Sequence, residues 1–130
     1  MRGRAAKAYN MTKRIFIVED DEDIREMLEM FLNEPPFVVN AFANAGDFLA
    51  GLRAAPPDLI LLDIKLPDGN GVDICREIKS LPAFRSVPVL LMSANMHYEN
   101  ITTDSGAEEF ISKPFDIMAL REKIEARISA

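Results

Sequence analysis

The sequence predicts a single α/β domain whose five strands form an open, doubly wound parallel sheet. Three observations point there. Short apolar runs alternate with amphipathic stretches, the pattern of repeated βα units. After its first residue the run Asp58-Leu59-Ile60-Leu61-Leu62 is wholly apolar, as a strand covered on both faces requires. Turn-forming and capping residues separate the runs: Pro35-Pro36, Asn44, Pro56-Pro57 and the Lys65–Gly71 loop.

The first strand is read over Arg14–Val18. A helix follows from about Asp21 to Asn33, with Ile24, Met27, Leu28, Phe31 and Leu32 at i, i+3, i+4, i+7 and i+8. Glu22 and Asp23 in its first turn complement the helix dipole, and Pro35-Pro36 stops it. Phe37–Phe42 is the second strand. Asn44 caps a second helix that turns Phe48, Leu49 and Leu52 inward, and Pro56-Pro57 ends that unit. The third strand is Asp58–Leu62, with Asp63 at its tip. The loop Lys65-Leu66-Pro67-Asp68-Gly69-Asn70-Gly71 is dense in turn residues. A third helix carries Val72, Ile74, Cys75 and Ile78. The fourth strand covers Val87–Met92 and ends at Ser93. Between Asn95 and Gly106, residues Thr102, Thr103, Asp104 and Ser105 favour caps and turns, so a short or irregular fourth helix is expected. Glu108–Ser112 is the fifth strand. Asp116 caps a fifth helix whose Ile117, Leu120, Ile124 and Ile128 form a core stripe.

The bulk properties narrow the function. The 130 residues are 48% hydrophobic, enough for one domain with a real core and no disulfide or metal staple. A formal net charge of −6 argues against nucleic acid as the main partner and suits protein partners or cations. Cys75 is the one cysteine; it excludes an internal disulfide, suggests a reducing, cytoplasmic compartment, and sits in an apolar pattern as a small core residue. No apolar stretch approaches the roughly 20 residues that span a bilayer, and no signal-peptide run opens the chain. Residues 1–13 are basic, small and aperiodic. They read as a flexible lead or an expression remnant, with Met11 as an alternative start and the domain running over 14–130.

Polar residues gather just past the strands. Glu19-Asp20-Asp21 follows the first, Asp63 the third, Ser93 the fourth and Lys113-Pro114 the fifth. In an open α/β sheet these positions converge where ligands bind. A carboxylate there can act as a nucleophile and form an aspartyl phosphate. The incoming group is anionic and needs neutralising charge. Mg²⁺ prefers a few carboxylates plus water and phosphate oxygens, and Asp20 and Asp63 could ligate it directly with Glu19 acting through water. Lys113 offers a second positive charge and Ser93 a hydroxyl donor. Taken singly, the acids suit a helix N-terminus, Lys113 a solvated loop and Ser93 a cap. Four such groups at successive strand ends make the joint reading the stronger one.

The same segments resemble the receiver domain of two-component response regulators. The resemblance spans about residues 14–129. It rests on Ile15-Phe16-Ile17-Val18-Glu19-Asp20-Asp21, on Leu61-Leu62-Asp63-Ile64-Lys65-Leu66-Pro67-Asp68-Gly69-Asn70-Gly71, on Ser93-Ala94, and on Gly106-Ala107 through Lys113-Pro114-Phe115. It implies a flavodoxin-like (βα)5 fold with strand order 2-1-3-4-5. It implies Asp63 as phosphoacceptor, Glu19 and Asp20 as the metal-binding acid pair, and a backbone carbonyl of Lys65 as a further Mg²⁺ ligand. Ser93 matches the switch hydroxyl, Phe110 the switch aromatic, and Lys113 the lysine that precedes a cis proline bond. The phosphodonor would be a histidine kinase or histidine phosphotransfer protein, and the only catalysis the chain's own phosphorylation and dephosphorylation. The output protein is unspecified, and a dimer formed on phosphorylation is open. Neither a membrane nor direct nucleic-acid contact is expected of this chain.

Three features depart from or extend that pattern. From Ser93 to Lys113 is 20 positions, about two fewer than is common, and the deficit falls on the weak fourth-helix segment. Lys65 puts a flexible cation beside the site, able to pair with Glu19 or with a phosphoryl group. Phe110 has no hydroxyl, which favours an inward ring or a protein contact. His97 reads as a surface histidine. Two other functions compete. An Asp-nucleophile phosphatase would want a second Asp at position 65, where Lys65 stands. A non-phosphorylated pseudo-receiver would not need the full set of acids, hydroxyl and lysine. The last helix ends near Ala130, leaving no room for an output domain within these residues; a stand-alone receiver and a piece of a longer regulator both fit.

Overall fold

The computed structural model describes residues 12–95, 97 and 104–129. Its main sheet has five parallel strands: β1 Lys13–Val18, β2 Phe37–Phe42, β3 Leu59–Asp63, β4 Val89–Ser93 and β5 Glu109–Ser112. Their order is β2-β1-β3-β4-β5, so the doubly wound 2-1-3-4-5 arrangement is present. Helices α1 Glu22–Leu32, α2 Ala45–Ala54, α3 Gly71–Lys79 and the C-terminal α4 Ile117–Ser129 cover it.

Strand periodicity sorts the core into two layers. Phe16, Val18, Ile60, Leu62 and Leu91 point to one face, where Phe48 and Leu52 of α2 and Val72, Cys75 and Ile78 of α3 meet them. Ile15, Ile17, Leu59, Leu61, Leu90 and Met92 point to the other, against Leu28 and Leu32 of α1 and Leu120 and Ile124 of α4. Burial raises the Cys75 thiol pKa, as befits a core residue.

The expected caps are present. Asp21 accepts the Ile24 amide, Asn44 the Asp47 amide, and Asp116 the amides of Met118 and Ala119. Small differences lie at strand ends. Lys13 belongs to β1, its amide reaching the Pro36 carbonyl at 2.8 Å, and residues 1–11 of the expected lead lie outside the described ones. Asp58 stands before β3, and its carboxylate accepts the Arg14 amide at 2.7 Å. Val87 stands outside β4 because its amide turns back to Phe84. Glu108 stands outside β5, its carboxylate taking the Val89 amide. The Lys65–Gly71 loop contains a short antiparallel hairpin, Lys65–Leu66 against Gly69–Asn70. The expected irregular fourth helix falls mainly on residues 96 and 98–103, outside the described ones; helical backbone at Asp104 and Ser105 ends at Gly106, whose φ of +87° suits glycine.

Candidate functional site

Backbone ladders set the site residues side by side. Just past the strands, the Glu19 amide donates to Phe42 O at 3.0 Å, the Ile64 amide to Met92 O at 2.9 Å, and the Lys113 amide to Ser93 O at 2.9 Å. Glu19, Asp63, Ser93 and Lys113 therefore meet at the carboxyl edge of the sheet, in one open cleft that Asp20 and Lys65 also line. Gly71 makes room for this edge. Its amide donates to Ile64 O at 2.7 Å, and a Cβ there would sit 2.5 Å from the Asp63 carbonyl oxygen.

Two of the acids are inside the protein. Glu19 is 0% exposed and Asp63 4%, so each needs a partner. Lys113 supplies both: its Nζ lies 2.6 Å from Glu19 Oε1 and 3.2 Å from Asp63 Oδ2. The other Glu19 oxygen accepts the Asp21 amide at 3.2 Å. Burial nevertheless pushes the Glu19 carboxyl above its ordinary range; Lys113 opposes this, and neighbouring Asp63 adds to it. Burial works against the Lys113 ammonium, yet the two carboxylates hold its proton more firmly than usual. One lysine does not neutralise this cluster.

Asp20 is exposed at the mouth of the cleft. One oxygen from each of Glu19, Asp20 and Asp63 lies within 4.8 Å of the others, a set of hard donors able to hold a metal ion. Asp21 lines the cleft but spends its carboxylate on the α1 cap.

Ser93, 8% exposed, ends β4, and its Oγ accepts the Asn95 amide at 3.0 Å, which leaves the hydroxyl proton to donate. Lys65 lines the cleft with an exposed side chain. Of the two partners open to Lys65, Glu19 or a phosphoryl group, Glu19 is already engaged. Glu19 is turned inward and taken by Lys113, while Lys65 sits on the outer hairpin. Phe110 on β5 is half-buried, its ring packed against the core layer beneath α2 and α3. The Lys113–Pro114 bond is cis. His97 is exposed at the cleft's rim.

Sequence reasoning passed over two residues. Arg25 sends Nη1 to the carbonyl oxygens of Glu19 and Asp20. Asp68 accepts the amides of Ala45 and Gly46 at 2.8 and 2.9 Å, tying the hairpin to the start of α2. Both contacts are to backbone, which no side-chain motif announces.

Comparison with known proteins fits this geometry. A family model described as the response regulator receiver domain matches residues 15–125. The "DNA-binding response regulator MtrA" of Mycobacterium leprae is 33% identical over 120 residues, covering 91% of this chain and 52% of that protein. The chain thus spans about half the length of such relatives. The signal receiver domain of a DNA-binding response regulator from Colwellia psychrerythraea superposes with a TM-score of 0.84 at 28% identity, covering 91% of this chain and 99% of that one. The response regulator TrrA of Thermotoga maritima, solved in complex with Mg²⁺-BeF, gives 0.79 at 29% identity, with 88% and 98% covered.

Proposed function

Because this chain belongs to the response regulator receiver domain family, we propose that Asp63 accepts a phosphoryl group from a phosphohistidine donor. The donor is a histidine kinase or a histidine phosphotransfer protein. A carboxylate oxygen of Asp63 forms the new O–P bond while the donor's P–N bond breaks, and the imidazole leaves with the electron pair. The observation that carries this reading is the placement of Asp63. It ends a buried strand, opens into a cleft, and lies 3.2 Å from the Lys113 ammonium.

The acid set fits Mg²⁺. Its donors are all carboxylate oxygens, and two of them share a buried site that one lysine leaves under-neutralised. Asp20, Asp63 and Glu19 would hold the ion, with the Lys65 carbonyl as a further ligand. Bound there, Mg²⁺ supplies charge neutralisation for the transferring phosphoryl group. Lys113 stabilises the same charge and holds Asp63 in place. The Ser93 hydroxyl donates to a phosphoryl oxygen, and its inward pull carries Phe110 with it, shifting the face made by β5 and α4. Catalysis is confined to the chain's own phosphorylation and dephosphorylation.

The receiver domain runs over about residues 14–130, with β1 at its start. Its donor is cytoplasmic, and no described helix is long and apolar enough to cross a membrane. Output runs through a protein contact. Relatives named as DNA-binding regulators are about twice as long as the matched stretch.

The test is to incubate wild type and Asp63→Asn with a small acyl-phosphate donor and Mg²⁺, then to read intact mass and oligomeric state. Wild type gains one phosphoryl group and the variant gains none. No gain in wild type, beside a receiver that labels under the same conditions, overturns the reading and favours a pseudo-receiver.

A further inference from the structure

Asp20 is the one acid of the cluster that no side-chain contact fixes. Among the described residues its carboxylate has neither a hydrogen-bond donor nor an ion-pair partner, and it is exposed. Glu19 is fixed by burial, Lys113 and the Asp21 amide, and Asp63 by its strand and Lys113. Where Asp20 points therefore depends on its backbone. Two peptide planes flank its Cα. One contains the Glu19 carbonyl and the other the Asp20 carbonyl, and together they define the two soft dihedrals of Asp20. Arg25 binds both: Nη1 donates to Glu19 O at 2.9 Å and to Asp20 O at 3.3 Å.

We propose that Arg25 is a positioning residue for the metal site, a guanidinium tie that locks the Glu19–Asp20 turn so that the Asp20 carboxylate faces Asp63. The proposal rests on the Mg²⁺ reading above. Arg25 is itself well anchored. It lies in the first turns of α1, its amide donates to Asp21 O at 2.9 Å, and its side chain is half-buried. Asp21 closes the same turn from the other side, its amide on Glu19 Oε2 and its carboxylate on the Ile24 amide. The turn is thus held to α1 by a side chain at each end. Without Arg25, two carbonyls lose their donor and Asp20 regains rotation about φ and ψ. A lysine keeps the charge, but its ammonium ends one bond short of the Nη1 position that serves both oxygens. Outer contacts that orient metal ligands are commonly worth about ten- to a hundredfold in affinity.

The experiment compares wild type, Arg25→Lys, Arg25→Gln and Asp63→Asn in two measurements. The first is backbone amide exchange at Asp20 and Asp21 in metal-free protein. The second is Mg²⁺ affinity by calorimetry. Both Arg25 variants should exchange faster at these amides while amides in β3 and β4 stay protected. Both should bind Mg²⁺ about tenfold more weakly. Asp63→Asn should lose affinity with the amides unchanged, which separates losing a ligand from loosening the turn. Arg25→Lys that retains wild-type affinity and exchange overturns the tie and reduces Arg25 to a local charge. A wild type that binds no Mg²⁺ overturns the functional reading instead, and the metal-free exchange still decides whether Arg25 holds the turn.

Discussion

The two edges of the sheet carry the same chemical pair in opposite states of balance. Where β4 and β5 begin, Lys79 Nζ donates to Glu108 at 2.8 Å and to the carbonyls of Val87 and Arg85 at 2.7 and 3.3 Å. The other Glu108 oxygen accepts the Val89 amide at 2.7 Å. One ammonium meets one carboxylate, and backbone groups take up their remaining hydrogen bonds. Where the strands end, Lys113 is divided between Glu19 and Asp63, and Asp20 has no cation partner among the described residues. The two lysine side chains are similarly buried, 10% and 16% exposed. The acid side chains differ, Glu108 being 28% exposed against 1% for Glu19 and 6% for Asp63. Stoichiometry distinguishes the two edges as well. A balanced pair fastens elements together, whereas a surplus of buried acid calls for a cation that the described residues do not supply.

The largest effect should come from breaking the balanced pair. Lys79→Met removes a cation and three donated bonds, leaving Glu108 facing an apolar stem. About 2–3 kcal/mol of stability should be lost, below the full cost for a deeply buried pair because Glu108 keeps the Val89 amide and some water. Urea unfolding of metal-free protein measures this, and Mg²⁺ affinity at the far edge should not change. A loss below about 0.5 kcal/mol would place the pair among ordinary surface bridges and dissolve the contrast.

Converting the surplus edge into a balanced one should act in the opposite sense. Asp63→Asn leaves Lys113 with Glu19 alone, one to one, and removes the neighbour that helps raise the Glu19 pKa. In the absence of metal the variant should be more stable than wild type by about 1 kcal/mol, as is common where a site holds like charges for function. Millimolar Mg²⁺ should then stabilise wild type by mass action and leave the variant nearly unmoved. A variant that is less stable than wild type without metal would mean that Lys113 already satisfies both acids.

The unbalanced edge was legible in the sequence and the balanced one was not. Asp63 and Ser93 follow continuous apolar runs, and a buried parallel strand announces its own end. Glu19-Asp20 follows a run of the same length as that before Asp63, Ile15–Val18, and Lys113-Pro114 follows the shorter Phe110-Ile111-Ser112, so the topology brings all of them together. Lys79 and Glu108 lie 29 positions apart, one in a helix's last turn and one before a strand, where polar residues are unremarked. Of the two partners open to Lys65, Glu19 or a phosphoryl group, Glu19 is taken by Lys113. Nearness to Asp63 in sequence put Lys65 beside the site, but strand order brings Lys113 to Glu19 from 94 positions away. Arg25 and Asp68 act on backbone atoms, which carry no residue identity to match.

The smallest effects contrast what holds an acid at each edge. Asp68, on the hairpin beside the site, has its carboxyl held below the ordinary range by the Ala45 and Gly46 amides. Glu109, where β5 begins, is also held low; burial opposes this, but hydrogen bonds from Arg127 and Lys123 prevail. Both folded values lie below the unfolded ones, so each contribution is present above the ordinary carboxyl pKa and is lost as pH falls through the folded value. For Glu109, bridged to half-exposed partners 3.0 and 3.2 Å away, the contribution is about 0.5 kcal/mol. The physical cause separates the two. Mobile cations facing Glu109 are screened by salt, whereas oriented amides 2.8 and 2.9 Å from Asp68 are not displaced by it. Stability measured from about pH 6 to pH 3 against Glu109→Gln and Asp68→Asn, in low salt and in about 1 M NaCl, reads this directly. The Glu109 difference should flatten in salt and the Asp68 difference should persist. If both flatten alike, Asp68 is held by long-range charge, and the hairpin beside the site is fastened no differently from the edge where the strands begin.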